Sequence, residues 1–122
     1  MPDSIPPAVV SCSARFIANV WESSGLIRMD LALDQPVSFL PGQFAMLNLA
    51  GDRPFVFSRP FSILSVRETT ISFLYRVVGR GTAALADLKV GQELTVLGPL
   101  GQSFPLPGDF DEMPAVMVAG GV

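Results

Sequence analysis

The 122-residue chain contains no histidine and a single cysteine. Without imidazole, Ser-His and Cys-His catalysis are excluded within these residues, as are imidazole-ligated metal sites. The lone thiol, Cys12, can form neither an internal disulfide nor, alone, the thiolate set of an iron–sulfur cluster. It lies in an apolar stretch over residues 8–20 and reads as a small core residue. Charge is also scarce. Asp, Glu, Lys and Arg make up 16% of the chain and the formal net charge is -3. That balance argues against nucleic acid or an anionic membrane surface as partner. No apolar run approaches the roughly 20 residues that span a bilayer. The first ten residues, MPDSIPPAVV, lack the basic and long apolar regions of a secretory signal, so the expected location is the cytoplasm.

What the chain does have is apolar residues and turn formers. Hydrophobic residues make up 49%, enough for one domain with a real core. Eleven glycines and eleven prolines are spread along the chain, the pattern of many turns between short strands. Alternating apolar runs predict six strands, over residues 9–20, 26–33, 44–49, 61–66, 71–78 and 93–97. Residues 71–78 alternate most clearly, with Ile71, Phe73, Tyr75 and Val77 on one face. One helix is expected over 82–88, with Thr82 as its N-cap and alanines favouring it. Pro41-Gly42-Gln43 and Gly98-Pro99-Leu100-Gly101 read as turns. The fold class that follows is mainly all-β: a six-stranded antiparallel Greek-key barrel with one short helix, closed so that no edge is exposed. Residues 114–119, PAVMVA, are continuously apolar and run into glycine. Such a strand suits a parallel sheet covered on both faces and reads as the first strand of a truncated α/β nucleotide-binding domain. The expected division is residues 1–112 for the barrel and 113–122 for the start of that second domain.

Two segments carry candidate chemistry. In Arg59-Pro60-Phe61-Ser62, the guanidinium can grip phosphate oxygens in a bidentate way, or Arg59 is a surface residue opening a strand. Pro60 holds its neighbours extended. Phe61 packs beside a planar ligand or fills the barrel. The Ser62 hydroxyl can bond a ring nitrogen. In Gly79-Arg80-Gly81-Thr82, glycines let backbone amides turn toward an anion at a helix start, or the segment is an ordinary capped turn. Arg76 is a second cation or a solvated strand residue, and Tyr75 faces a ligand or the core.

In order, RPFSI (59–63) and LYRVVGRGT (74–82), with PGQF (41–44), LKVGQEL (88–94), LGPLGQSF (97–104) and AGGV (119–122), resemble the FAD-binding domain of the ferredoxin-reductase family. Within it they are most similar to the electron-transfer subunits of dihydroorotate dehydrogenase. The resemblance implies FAD as cofactor, with Arg59, Gly81 and Thr82 on its pyrophosphate. It implies Pro60, Phe61 and Ser62 along the flavin, with Leu74, Tyr75 and Arg76 lining the ribityl and ring region largely through backbone. Gly120 and Gly121 would begin an NAD(P) site. NAD(P) and a 2Fe-2S cluster are expected only in a full-length protein, and the implied partner is a catalytic dehydrogenase subunit or another redox protein. The implied function is electron transfer between a nicotinamide and an iron–sulfur centre or partner subunit, in pyrimidine biosynthesis. Position 61 departs from the family pattern, being Phe where many members have Tyr. Two other readings stay open: the flavin reductase component of an oxygenase or hydrogenase system, and a flavin-free barrel that only binds a partner.

Overall fold

The computed structural model describes residues 8–49, 58–105, 114 and 116–120. Six strands make a closed antiparallel barrel: β1 (Val10–Trp21), β2 (Ile27–Leu33), β3 (Phe44–Leu49), β4 (Ser58–Arg67), β5 (Thr70–Tyr75) and β6 (Glu93–Leu100). Their order around the barrel is β1-β2-β5-β4-β3-β6, with β6 pairing back onto β1. β3, β4 and β5 form a meander, and β2 lies beside β5, which is the expected Greek-key arrangement. One helix, α1 (Arg80–Ala86), leaves the end of β5. Among the described residues, no helix is long and apolar enough to cross a membrane.

Alternation explains which side chains turn inward. In β2, Ile27, Met29, Leu31 and Leu33 are buried and the residues between them are half-exposed. Starting at Ile27 gives this strand a clean phase, because Leu26 stays outside it in the turn after a short 3-10 segment, Ser23–Gly25. Ile71, Phe73 and Tyr75 of β5 meet them across the ladder, Phe73 opposite Met29 and Tyr75 opposite Ile27. Ala45 and Leu47 of β3 and Leu94 and Val96 of β6 complete the core. Cys12 is inside it, as expected, at 2% exposure.

Only β3 keeps its expected bounds: β1 shifts by one residue at each end and β2 at its start, and the other four elements differ further. β4 begins at Ser58, so the whole RPFS segment lies within a strand. Pro60 fits there because residues 58–62 pair with β3 alone; pairing with β5 starts at Ile63. β5 ends at Tyr75, and Val77 stands exposed instead of extending its inner face, with Val78 exposed beside it. β6 runs on through Gly98 and Pro99 to Leu100, since an irregularity against Phe44 and Met46 of β3 accommodates the proline. The turn expected there falls at Gly101, whose φ is 81°. The helix begins two residues before its expected start, with Gly79 as N-cap. Thr82 is therefore not the cap. From inside the first turn its Oγ1 accepts from the Val78 N–H at 2.8 Å and donates to the Gly79 carbonyl at 3.3 Å.

Of the expected strand over 114–119, the described residues, Pro114 and 116–119, form no strand. Val116, Met117 and Val118 are 84–93% exposed. A strand of this kind needs neighbours on both sides, and the closed barrel offers no free edge. The boundary between 112 and 113 lies outside the described residues.

A polar link ties the helix to the barrel. The Tyr75 hydroxyl donates to Asn19 Oδ1 at 3.1 Å, and Asn19 Nδ2 donates to the Leu85 carbonyl of α1 at 2.9 Å. Burial pushes the Tyr75 hydroxyl up from 10.0 to about 12, with the Asn19 contact working the other way and the Asp87 charge adding to the rise. The folded group thus keeps its proton to higher pH than the unfolded one. Its contribution to stability is fully present below about pH 10 and is lost as pH rises through about 12.

Two outcomes are expected. Phe73→Ala removes a large, fully buried ring and lowers unfolding stability by about 3–5 kcal/mol, read from the urea midpoint. Tyr75 is the one tyrosine of the chain, so phenolate absorbance reports it alone. The native protein shows its absorbance step near pH 12 and the denatured chain near 10; a native step at the lower value contradicts a buried ring.

Candidate functional site

The antiparallel pairing of β4 with β5 decides what meets what. It brings the start of β4, where Arg59 and Pro60 lie, beside the end of β5, from which Arg76 and the Gly79–Thr82 turn depart. Three of the eight basic residues, Arg59, Arg76 and Arg80, therefore gather at one end of a chain whose net charge is -3. An anion at this end meets local positive charge despite the acidic total.

Side-chain directions sort the candidates. Pro60 and Ser62 are exposed on β4, and Leu74 is half-buried on β5. Ser62 sits opposite Phe44 and Pro60 opposite Met46, so these four share the outer face of the barrel. Phe61 points the other way. Its ring meets Phe73 and Tyr75 edge-on, each with centroids 6.4 Å apart. Of its two readings the barrel-filling one describes the ring, leaving the Phe61 backbone to face outward contacts. Tyr75 likewise has its ring in the core, at 3% exposure.

The cations are partly engaged. Arg59 Nη1 donates to the Ser58 carbonyl at 3.1 Å. Arg76 Nη1 donates to the Ser24 carbonyl at 2.8 Å, which pins its guanidinium to the β1–β2 turn. Gly81 and Thr82 are half-buried in the first turn of α1, where backbone N–H groups have no partner within the helix. Gly120 is exposed with open space around it, apart from the barrel's site residues in the chain. Gly121 lies outside the described residues.

The stretch of β4 from Ser58 to Ser62 has a ladder on its β3 side and none on its β5 side. Backbone polar groups there are available to a flat ligand laid along the outer face. Together with an exposed hydroxyl at Ser62 and the arginines at one end, this geometry suits a long molecule with a planar polar head and an anionic tail.

Sequence reasoning missed three polar positions that the structure puts to use in different parts of the barrel. Asn19 was hidden in an apolar run. Gln43 is buried at 4% exposure; its Oε1 accepts from the Leu40 N–H at 2.8 Å and its Nε2 donates to the Gly101 carbonyl at 3.0 Å. Asp30 accepts from Ser72 at 2.6 Å and from Arg28 Nε at 3.2 Å on the outer face of β2 and β5. A cleft of about 260 Å³ lies over this last network, lined by Arg28, Asp30, Ser65, Arg67, Thr70 and Ser72. It holds none of the expected site residues and is smaller than the usual range for ligand pockets, about 300–1,000 Å³.

No family model matches the chain. In sequence it is 50% identical over 86 residues to the dihydroorotate dehydrogenase B (NAD(+)) electron transfer subunit of Clostridium acetobutylicum, covering 70% of this chain and 34% of that protein. It is 37% identical over 84 residues to the subunit of the same name in Fusobacterium nucleatum, covering 67% of this chain and 32% of that protein. The chain thus spans about a third of the length of these curated relatives. In structure it is similar to the ferredoxin reductase of carbazole 1,9a-dioxygenase, with a TM-score of 0.70 and 32% identity, over 86% of this chain and 32% of that one. The cytochrome b5 reductase domain of Ulva prolifera nitrate reductase shares the fold, with a TM-score of 0.65 at 14% identity, over 75% of this chain and 40% of that one. With homologues among the dihydroorotate dehydrogenase electron-transfer subunits, the chain is a barrel domain of the ferredoxin-reductase type.

Proposed function

We propose that the chain is the FAD-binding domain of an electron-transfer subunit serving a dihydroorotate dehydrogenase. The observation that carries this reading is the outer face of β4, where Ser62 and an unladdered strand run toward Arg59 and the Gly79–Thr82 turn. The isoalloxazine would lie along Pro60, the Phe61 backbone and Ser62, with Leu74, Tyr75 and Arg76 contributing backbone contacts on the facing side. Arg59 and the amides of Gly81 and Thr82 would hold the pyrophosphate. Bound FAD supplies the redox chemistry, taking electrons in pairs and passing them on singly. The protein's own task is to hold the ring flat, neutralise the phosphates and leave one ring face open. No side chain has to move a proton, in keeping with a site made of arginines, a serine and backbone.

The rest of the machinery follows as part of the same proposal. Residues 1–112 form the flavin barrel and 113–122 begin an NAD(P)-binding domain, with Gly120 and Gly121 at its dinucleotide turn. The exposed Val116, Met117 and Val118 support this, since they have apolar surface to bury against a further layer. A 2Fe-2S cluster needs thiolates that this chain's single cysteine cannot provide, so it belongs to another part of the full protein. The partner is a catalytic dehydrogenase subunit, and the setting is the cytoplasm. The likeness to a dioxygenase ferredoxin reductase favours one second reading, in which the same flavin domain serves an oxygenase.

FAD titration, followed by flavin absorption and fluorescence, tests the reading. Saturable binding is expected, with Arg59→Ala weakening it about 10- to 150-fold, corresponding to about 1.5–3 kcal/mol for a charge-assisted contact. If FAD binds neither this chain nor a longer one that continues through the next domain, the flavin reading is wrong and the barrel is a binding module.

A further inference from the structure

The ladder between β1 and β2 skips one residue. Phe16 is opposite Leu31 and Ala18 is opposite Asp30, so Ile17 has no cross-strand partner. An extra residue in one strand exchanges the faces of everything beyond it. Before the bulge, Cys12, Ala14 and Phe16 point into the core. After it, Asn19 stands opposite fully buried Met29. A polar amide is thereby turned to the inner side of the barrel, next to α1.

Both halves of that amide are used. Asn19 Nδ2 donates to the Leu85 carbonyl at 2.9 Å, and Asn19 Oδ1 accepts from Tyr75 at 3.1 Å. Leu85 lies in the last turn of α1, where carbonyls lack full helical partners; besides Asn19 it receives a long bond from the Leu88 N–H, at 3.3 Å, and a share of the Asp87 N–H, which also serves Ala83 and Ala84. A seven-residue helix is far too short to persist by propensity, so its seating comes from the barrel. Burial of Leu85 and Leu88 sets its depth. The directional contact with Asn19 sets its rotation and axial position. Because α1 is one short rigid rod, fixing its last turn fixes its first.

We propose that Asn19, turned inward by the bulge at Ile17, is a positioning residue that seats helix α1 and so fixes where the Gly79–Thr82 turn stands. Its consequence for pyrophosphate binding rests on the flavin reading above; the seating itself does not. Asp at this position keeps the acceptor for Tyr75 and loses the donor for Leu85. Leu loses both. Phe at position 75 leaves the Asn19–Leu85 bond in place.

Hydrogen exchange without flavin tests the seating. In Asn19→Leu and Asn19→Asp, amides of residues 83–88 are expected to exchange roughly fivefold to tenfold faster, the worth of one lost hydrogen bond. Strand amides keep their rates, and Tyr75→Phe leaves residues 83–88 as in the parent. Unchanged exchange at 83–88, or faster exchange spread over all strands, overturns the proposal. Flavin selectivity tests the consequence. FAD binding is expected to weaken about tenfold in both Asn19 variants, while riboflavin, which lacks the pyrophosphate, binds as to the parent. Equal loss for both flavins, or loss for neither, overturns the link to the turn. If the parent chain binds no flavin at all, the functional reading fails while the exchange experiment still decides the seating.

Discussion

Closure of β1 onto β6 is the constraint on which the rest depends. A six-stranded sheet left open would present two unpaired edges, and this chain has few charges with which to guard them. Closing it pairs every strand on both sides and seals the row of Met29, Leu31, Leu47, Ile71 and Phe73 from water. A regular sheet of so few strands cannot curl that tightly without local irregularities. Three appear: in β1 between Phe16 and Ala18, between β4 and β5 around Ile63 and Ser65, and between β3 and β6 around Phe44 and Met46. Each falls beside a functional candidate. The first aims Asn19, the second lies just past Ser62, and the third, around the Phe44 that faces Ser62, lets Gly98 and Pro99 pass along β3. The distortions that close the barrel also shape its outer face.

Much of this was legible in the sequence because burial on one face leaves a period of two. β5 is the plainest example: Ile71, Phe73 and Tyr75 announce the core in their spacing alone. β3 and β2 are nearly as plain once the start of β2 moves from Leu26 to Ile27. What alternation cannot reveal is a single inserted residue. Across Ile17 the run FIANVW stays apolar on both sides, so the change of face at Asn19 leaves no mark. Proline misled in the same way twice. Pro60 and Pro99 look like places where strands stop, yet each lies inside a strand at a spot where the ladder is one-sided or irregular. The run over 114–119 is a different case, since apolar composition marks a segment that wants neighbours, and the closed barrel supplies none.

The candidate site was legible in its residues and not in their orientation. Arg59, Ser62, Gly81 and Thr82 stand out as types suited to phosphate and ring contacts, and strand pairing brings their segments to one end. The two aromatics could not be assigned from the sequence. Phe61 shares its strand face with Ile63, and both turn inward, so the ring that invites a stacking role is occupied by Phe73 and Tyr75. Thr82 suits a cap by residue type; inside the first turn instead, its hydroxyl holds Val78 and Gly79. Its backbone amide, more than its side chain, is then what it has to offer an anion.

The segments that carried the family resemblance most strongly divide into chemistry and packing. RPFS and GRGT supply groups a ligand can touch. PGQF and LGPLGQSF touch each other. A Cβ on Gly42 would stand 2.9 Å from the Phe104 nitrogen, and one on Gly101 would stand 2.9 Å from the Phe44 ring. Both glycines also hold positive φ, 96° and 81°, a region costly for other residues. Gln43 bonds across the same junction to the Gly101 carbonyl, and its own carbonyl receives the Ile63 N–H of β4. This junction therefore sets where β4 lies relative to β3 and β6, one residue from Ser62. A motif can mark a function without containing any of its chemistry, because the groups that touch the ligand are only as well placed as the turns that hold their strand.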